Sequence, residues 1–149
     1  MEVTIRMLAY FNGIFLRREE IHISPNDRGF LVADGVYEVV RAYGGTPFRM
    51  AEHMDRLARS LRETRIDFPC VADLAVAGTR LIALNGLEKS DSILHFQVTR
   101  GVAPRKHTLP DPPRTADEDD PRLPGPFVRR DAREGRGGHP RPRVPLVPV

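Results

Sequence analysis

Arg105 and His107 stand two residues apart in the stretch RGVAPRKH, so an extended backbone would carry both side chains on one face. A guanidinium and an imidazole converging on one point make a trap for a carboxylate. Lys106 between them would point away, toward solvent. Arg56, in EHMDRL, offers planar, bidentate donors of permanent charge to a phosphate. Taken alone, though, an arginine on an amphipathic helix is ordinarily just solvated. Tyr37 falls on an alternating stretch, where an aromatic ring is ordinarily core. Glu38, its neighbour, must face the other way and cannot share its role; it reads as a structural group. His53 and His95 read as satisfied structural side chains. The chain has one cysteine, Cys70, and only two lysines, Lys89 and Lys106. Scattered histidines and a single thiol make no metal constellation. Gly44-Gly45 is a hairpin turn rather than a phosphate loop.

These residues need elements to position them. Residues 4–11 are apolar-rich, Asn12-Gly13 is a two-residue hairpin signal, and 14–17 would be the return strand. Asp27-Arg28-Gly29 reads as a turn. Residues 36–43 alternate as a strand, with Tyr37, Val39, Arg41 and Tyr43 on one face and Glu38, Val40 and Ala42 on the other. Gly44-Gly45 leads into a short strand ending near Arg49. Residues 51–65 form an amphipathic helix with Met54, Leu57, Ala58 and Leu61 on one stripe. A second helix over 71–84 ends near Asn85-Gly86. Residues 92–100, SILHFQVTR, make another strand. Strands, two helices and a strand, without doubly wound alternation, read as an α+β fold. No internal repeat is present.

Near Pro113 the chain changes grammar, dividing it into a folded segment 1–113 and a tail 114–149. The tail holds 7 of the 14 prolines, 8 arginines, no lysine and one aromatic, Phe127. Nothing in it alternates or repeats at helical spacing, so it is expected to be disordered. A net charge of +3 and a pI near 9.5 invite a nucleic-acid reading. Yet the first segment carries 15 Lys+Arg against 14 Asp+Glu, and the tail 8 against 6, with no basic stripe interleaved with aromatics. No nucleic-acid partner is expected. No apolar run has the length of a membrane span, and no basic-then-apolar leader opens the chain. A single cysteine suits a reducing compartment such as the cytoplasm. Cys70 itself reads as a small buried side chain at a helix end.

Three features carry a resemblance: residues 27–57, DRGFLVADGVYEVVRAYGGTPFRMAEHMDRL; their spacing from the YFNG hairpin at 10–13; and FQVTRGVAPRKH at 96–107. Together they resemble the small N-terminal domain of the class IV (fold-type IV) aminotransferases, an antiparallel sheet with two helices. The RGxxxRxH pattern is most similar to the D-amino-acid (D-alanine) aminotransferases. The match covers residues 8 to about 113, less than half of a family chain. It implies pyridoxal 5′-phosphate (PLP) as cofactor, with Arg56 on its phosphate. It implies that Tyr37, Arg105 and His107 bind the substrate's α-carboxylate, the last two serving the site of a partner subunit, and hence a homodimer. The substrates implied are a D-amino acid and a 2-oxo acid. Branched-chain aminotransferase and aminodeoxychorismate lyase share DRGF…DGVYE and stand as alternatives, against which the Arg105/His107 pair speaks.

Transamination also needs a lysine that carries the cofactor through a Schiff base, and a carboxylate partnering the pyridine nitrogen. In the family both lie downstream, in a larger domain. Neither Lys89 nor Lys106 stands in the family's lysine context, so no catalytic residue is assigned. The Arg-, Pro- and Gly-rich tail has the composition of GC-rich coding DNA read out of frame, which points to a frameshift near codon 113. As given, the chain is expected to be inactive alone. A non-catalytic fragment pairing with a full-length homologue is the remaining alternative.

Overall fold

The computed structural model describes residues 7–68, 70–108 and, as backbone, 124–130. The hairpin is as its turn dictates: β1 (Leu8–Phe11) pairs with β2 (Ile14–Arg17) through Asn12 and Gly13, both at positive φ. A short 3-10 turn, Arg18–Glu20, leads on toward α1 (Arg28–Val32). Helix α1 replaces the expected turn at residues 27–29. Asp27 caps it, its Oδ1 accepting from Gly29 N at 2.7 Å, and Ala33 ends it in the left-handed conformation. Five residues are too few to show a helical period.

β3 (Gly35–Tyr43) turns through Gly44-Gly45 into β4 (Thr46–Pro47). Helix α2 (Met50–Glu63) buries Met54, Leu57 and Leu61. Helix α3 (Val71–Leu84) buries Leu74, Ala77, Gly78, Leu81 and Ile82. At Gly78 a Cβ would lie 2.7 Å from Phe96 Cζ, so glycine lets the ring of that strand residue reach the helix. Cys70 is exposed rather than buried: it stands at the N-cap of α3, ahead of the stripe that begins at Leu74.

β5 (Ser92–Thr99) pairs antiparallel with β3 along its whole length, from Gly35↔Thr99 to Ala42↔Ser92. Because side chains alternate, Val40 and Ala42 join Leu94, Phe96 and Val98 in the core under the two helices. The other face of β3 leaves Tyr37, Val39 and Tyr43 exposed. β6 (Pro124–Arg130) lies between β5 and β1, giving one six-stranded antiparallel sheet of order β2-β1-β6-β5-β3-β4. These seven residues fall inside the tail expected to be disordered; the rest of that tail lies outside the described residues. Prolines mask a strand in the sequence because they cannot donate to a ladder. Here Pro124 stands at the strand's first position, and the β1–β6 register shifts between Ala9 and Phe11. Among the described residues no helix is long and apolar enough to cross a membrane.

Candidate functional site

Alternation turns Glu38 toward the helices, where it is 3% exposed. A carboxylate buried so deeply needs partners, and α2 supplies two from one face, since residues three apart are neighbours on a helix. Arg56 donates from Nε and Nη2 to the two carboxylate oxygens, at 2.5 and 2.6 Å. His53 Nδ1 donates to Oε2 at 2.8 Å. Burial pushes the Glu38 carboxyl up, but the bonds and charges of Arg56 and His53 outweigh it and hold the group below the usual carboxylate range. Arg56 is 56% exposed, and its Nη1 stands outside the Glu38 pairing. It opens on a polar cleft of about 540 Å³ that Arg49, Arg59 and Arg62 also line, with Glu52 and Asp55.

Tyr37 lies on the opposite face of β3, stacked on His95 with ring centroids 5.6 Å apart and planes within 10°. Burial pushes His95 down, toward the neutral imidazole. Thus His95, expected to be merely structural, forms the platform of the Tyr37 ring. The pairing follows from register, because Val39 stands opposite His95 and Tyr37 is its diagonal neighbour.

Arg105 and His107 are both exposed, in the segment after β5. Among the described residues neither side chain hydrogen-bonds to Tyr37 or Arg56. The four residues expected to form a site are therefore distributed over two faces of the sheet and one loop. The apolar cavity of about 740 Å³ beside β1, between Phe11, Ile23, Phe30 and Gln97, holds none of them. Among the described residues no group of three His, Cys, Asp or Glu side chains could hold a metal ion.

A second polar cluster, which no local sequence pattern marks, ties these parts together. Asp34, just before β3, takes Arg28 Nε on Oδ2 at 2.7 Å, Arg100 Nε on Oδ2 at 2.8 Å and Arg100 Nη2 on Oδ1 at 3.0 Å. Arg28 is 4% and Arg100 3% exposed. Arg100 also donates to the carbonyls of Thr64 and Arg65 at the end of α2, at 2.7 and 2.6 Å. Arg28 donates from Nη1 to the carbonyl of Lys106 at 2.8 Å. Burial raises Asp34, yet the two arginines prevail and leave it below its ordinary value. Alongside, Thr99 Oγ1 donates to Asp27 Oδ2 at 2.9 Å. Gly29 fits only as glycine, since a Cβ would lie 2.2 Å from Thr99 Cγ2.

The family model described as "Amino-transferase class IV" matches residues 35–122, running past Pro113. A D-alanine aminotransferase of Staphylococcus haemolyticus is 38% identical over 105 residues, covering 70% of this chain and 36% of that protein. Another, of Bacillus licheniformis, is 42% identical over 102 residues, covering 68% of this chain and 35% of that protein. The branched-chain amino acid aminotransferase of Escherichia coli superposes with a TM-score of 0.66 at 20% identity, over 83% of this chain and 39% of that one. A fold IV transaminase of Curtobacterium pusillum superposes with a TM-score of 0.59 at 21% identity, over 80% of this chain and 38% of that one. At such identities the superpositions show the fold. The chain spans little more than a third of the curated relatives it matches.

Proposed function

Because the chain belongs to the class IV aminotransferases, we propose that its residues serve a PLP-dependent exchange of an amino group between a D-amino acid and a 2-oxo acid. The D-alanine aminotransferase relatives support the D-amino-acid choice over branched-chain aminotransferase or aminodeoxychorismate lyase. So does the Arg105/His107 pair.

The observation that carries the reading is the anchored guanidinium of Arg56. Glu38 fixes one edge of it and leaves Nη1 for another acceptor, in a cleft with three further arginines. That donor set fits the phosphate of PLP. When bound, PLP supplies an aldehyde that condenses with amines and a ring that draws an electron pair from the substrate α-carbon. In this reading Tyr37 offers its hydroxyl to the substrate carboxylate, its ring held flat by His95. Arg105 and His107 of a second copy complete that carboxylate site. Their exposure, and their lack of any bond to Tyr37, supports a site finished across a homodimer. The exposed thiol of Cys70 suits a reducing compartment such as the cytoplasm.

Neither lysine meets the aldehyde in this reading. Lys89 lies in the turn after α3, and Lys106 lies in the segment whose carbonyl Arg28 holds. These 149 residues are thus expected to hold the phosphate end weakly and to turn nothing over. The exposed apolar side chains Tyr37, Val39, Tyr43 and Phe48 favour a second reading, a fragment that pairs with a longer relative.

The test uses 4′-deoxypyridoxine phosphate, which lacks the aldehyde and so reports phosphate recognition alone. Calorimetric titration should give saturable binding that Arg56→Met weakens about tenfold, the order of one charge-assisted hydrogen bond. Equal affinity in both proteins would overturn the assignment of Arg56. Transfer of an amino group from D-alanine to a 2-oxo acid by these 149 residues with added PLP would overturn the expected inactivity.

A further inference from the structure

We propose that Arg28 is a positioning residue for the substrate-carboxylate pair: it holds the carbonyl of Lys106, and so sets the direction in which Arg105 and His107 project. The proposal rests on the reading of those two residues as carboxylate ligands.

An arginine is almost never fully buried unless it is paired. Arg28 is paired twice over, and its fork fixes where each donor points. Nε is pinned on Asp34 Oδ2, which aims Nη1 at the Lys106 carbonyl. The backbone N–H of Arg28 donates to Gly101 O at 2.9 Å, and Asp27 forms a β-bridge with Val102. One short stretch, Asp27-Arg28, thereby grips the segment after β5 at its start and again at Lys106. Among the described residues no other hydrogen bond reaches 104–107. The peptide unit held by Arg28 is the one between Lys106 and His107, with Arg105 one residue before it.

A purely structural account would treat Arg28 and Arg100 alike, since both sit on Asp34. Their second contacts differ. Arg100 already engages both oxygens of Asp34, and spends its remaining donors on α2. The bond to Lys106 is what Arg28 alone supplies.

A lysine-specific endoprotease reads this bond directly, because cutting after Lys106 requires that carbonyl to leave Arg28 and enter the protease. In Arg28→Lys the cation stays beside Asp34, but a single ammonium cannot span the carboxylate and the carbonyl. Cleavage of the Lys106–His107 bond should accelerate about tenfold, the effect of losing one hydrogen bond to a charged donor. Cleavage after Lys89, in the turn on the far side of β5, should keep its rate and serves as the reference. Arg100→Lys should leave the ratio of the two cuts unchanged. An unchanged ratio in Arg28→Lys, an equal rise at both bonds, or the same change in Arg100→Lys overturns the proposal. A second readout follows the imidazole carbon–proton signals of His107 on titration with D-alanine. A saturable shift in the unsubstituted chain that Arg28→Lys abolishes supports positioning, and a shift that survives undiminished overturns it. If the unsubstituted chain shows no shift, the carboxylate reading of Arg105 and His107 falls, and the cleavage ratio alone decides the role of Arg28.

Discussion

Replacing Asp34 by Asn removes one negative charge from between two guanidiniums and leaves the shape of the site almost unaltered. In the folded chain that carboxylate accepts three bonds of 2.7–3.0 Å from Arg28 and Arg100, whose side chains are 4% and 3% exposed. Each arginine keeps its carbonyl partners, so neither loses every contact. What both lose is the charge that offsets their removal from water, and the asparagine amide turns an N–H toward one of them. Breaking a buried ion pair from one side costs about 3–5 kcal/mol. A typical domain has only about 5–15 kcal/mol of stability in all, so the loss is a large part of the total. Urea unfolding followed by circular dichroism should show the midpoint falling by roughly 2 M for a slope of about 1–3 kcal/mol per molar. The control is Glu52→Gln, which breaks the Arg49–Glu52 pair, 3.3 Å apart with side chains 66% and 62% exposed. That change should cost below about 1 kcal/mol, because solvent screens the pair. If Asp34→Asn costs no more than Glu52→Gln, the cluster is not a buried ion network.

Gly29→Ala places a methyl 2.2 Å from Thr99 Cγ2 and 2.9 Å from Asp27 Oδ1, and should destabilise by about 1–3 kcal/mol. Thr99→Ser removes the nearer atom and keeps the hydroxyl on Asp27, so the double variant should recover part of the loss, and strict additivity in urea titrations would refute the packing argument. Acid should weaken the fold in two stages. Burial holds the folded pKa of His95 below its ordinary value, so the stability it contributes is complete above about pH 6.5 and is lost as pH falls below that toward the folded value. Asp34 and Glu38 are also lowered in the fold, so their contributions are complete above about pH 5 and are lost as pH falls through their folded values. Melting temperatures from pH 8 to pH 3 should therefore fall monotonically, and a rise between pH 7 and pH 5 would contradict the signs.

Elements with a period were legible in the sequence, and those without one were not. The stripes of α2 and α3 and the alternation of β3 each repeat at a spacing that backbone geometry imposes, and Asn12-Gly13 is a turn signal in itself. The expected bounds of α3, 71–84, are those observed. Helix α1 is five residues long, and its signal was the cap alone, Asp27 before Gly29. β6 was hidden by Pro124 and Pro126, whose strand is defined by neighbours rather than by its own alternation. The candidate residues themselves could be named from their motifs, but not their settings. Alternation did place Glu38 opposite Tyr37, and a carboxylate on a core face demands a cation, which Arg56 and His53 could have been matched to by their spacing of three. Asp34 with Arg100 joins residues 66 apart, and no local pattern announces such a pair.

That long-range cluster bears on why the elements that carry the candidate residues hold a fixed relation at all. Tyr37 rides on β3, Arg56 on α2, and Arg105 and His107 on the segment after β5. Apolar contacts press α2 onto the sheet, but they are non-directional and would tolerate some sliding of the helix. Asp34 is covalently joined to β3, and through Arg100 it fixes the C-terminal end of α2 by the carbonyls of Thr64 and Arg65. Through Arg28 it fixes the Lys106 carbonyl. Both links pass through planar guanidiniums, which transmit direction as well as distance. A hydrophobic replacement of the cluster could match its stability, as is common for buried ion pairs. It could not reproduce three bond directions from one carboxylate, and those directions fix the relation of the three segments that carry the candidate residues.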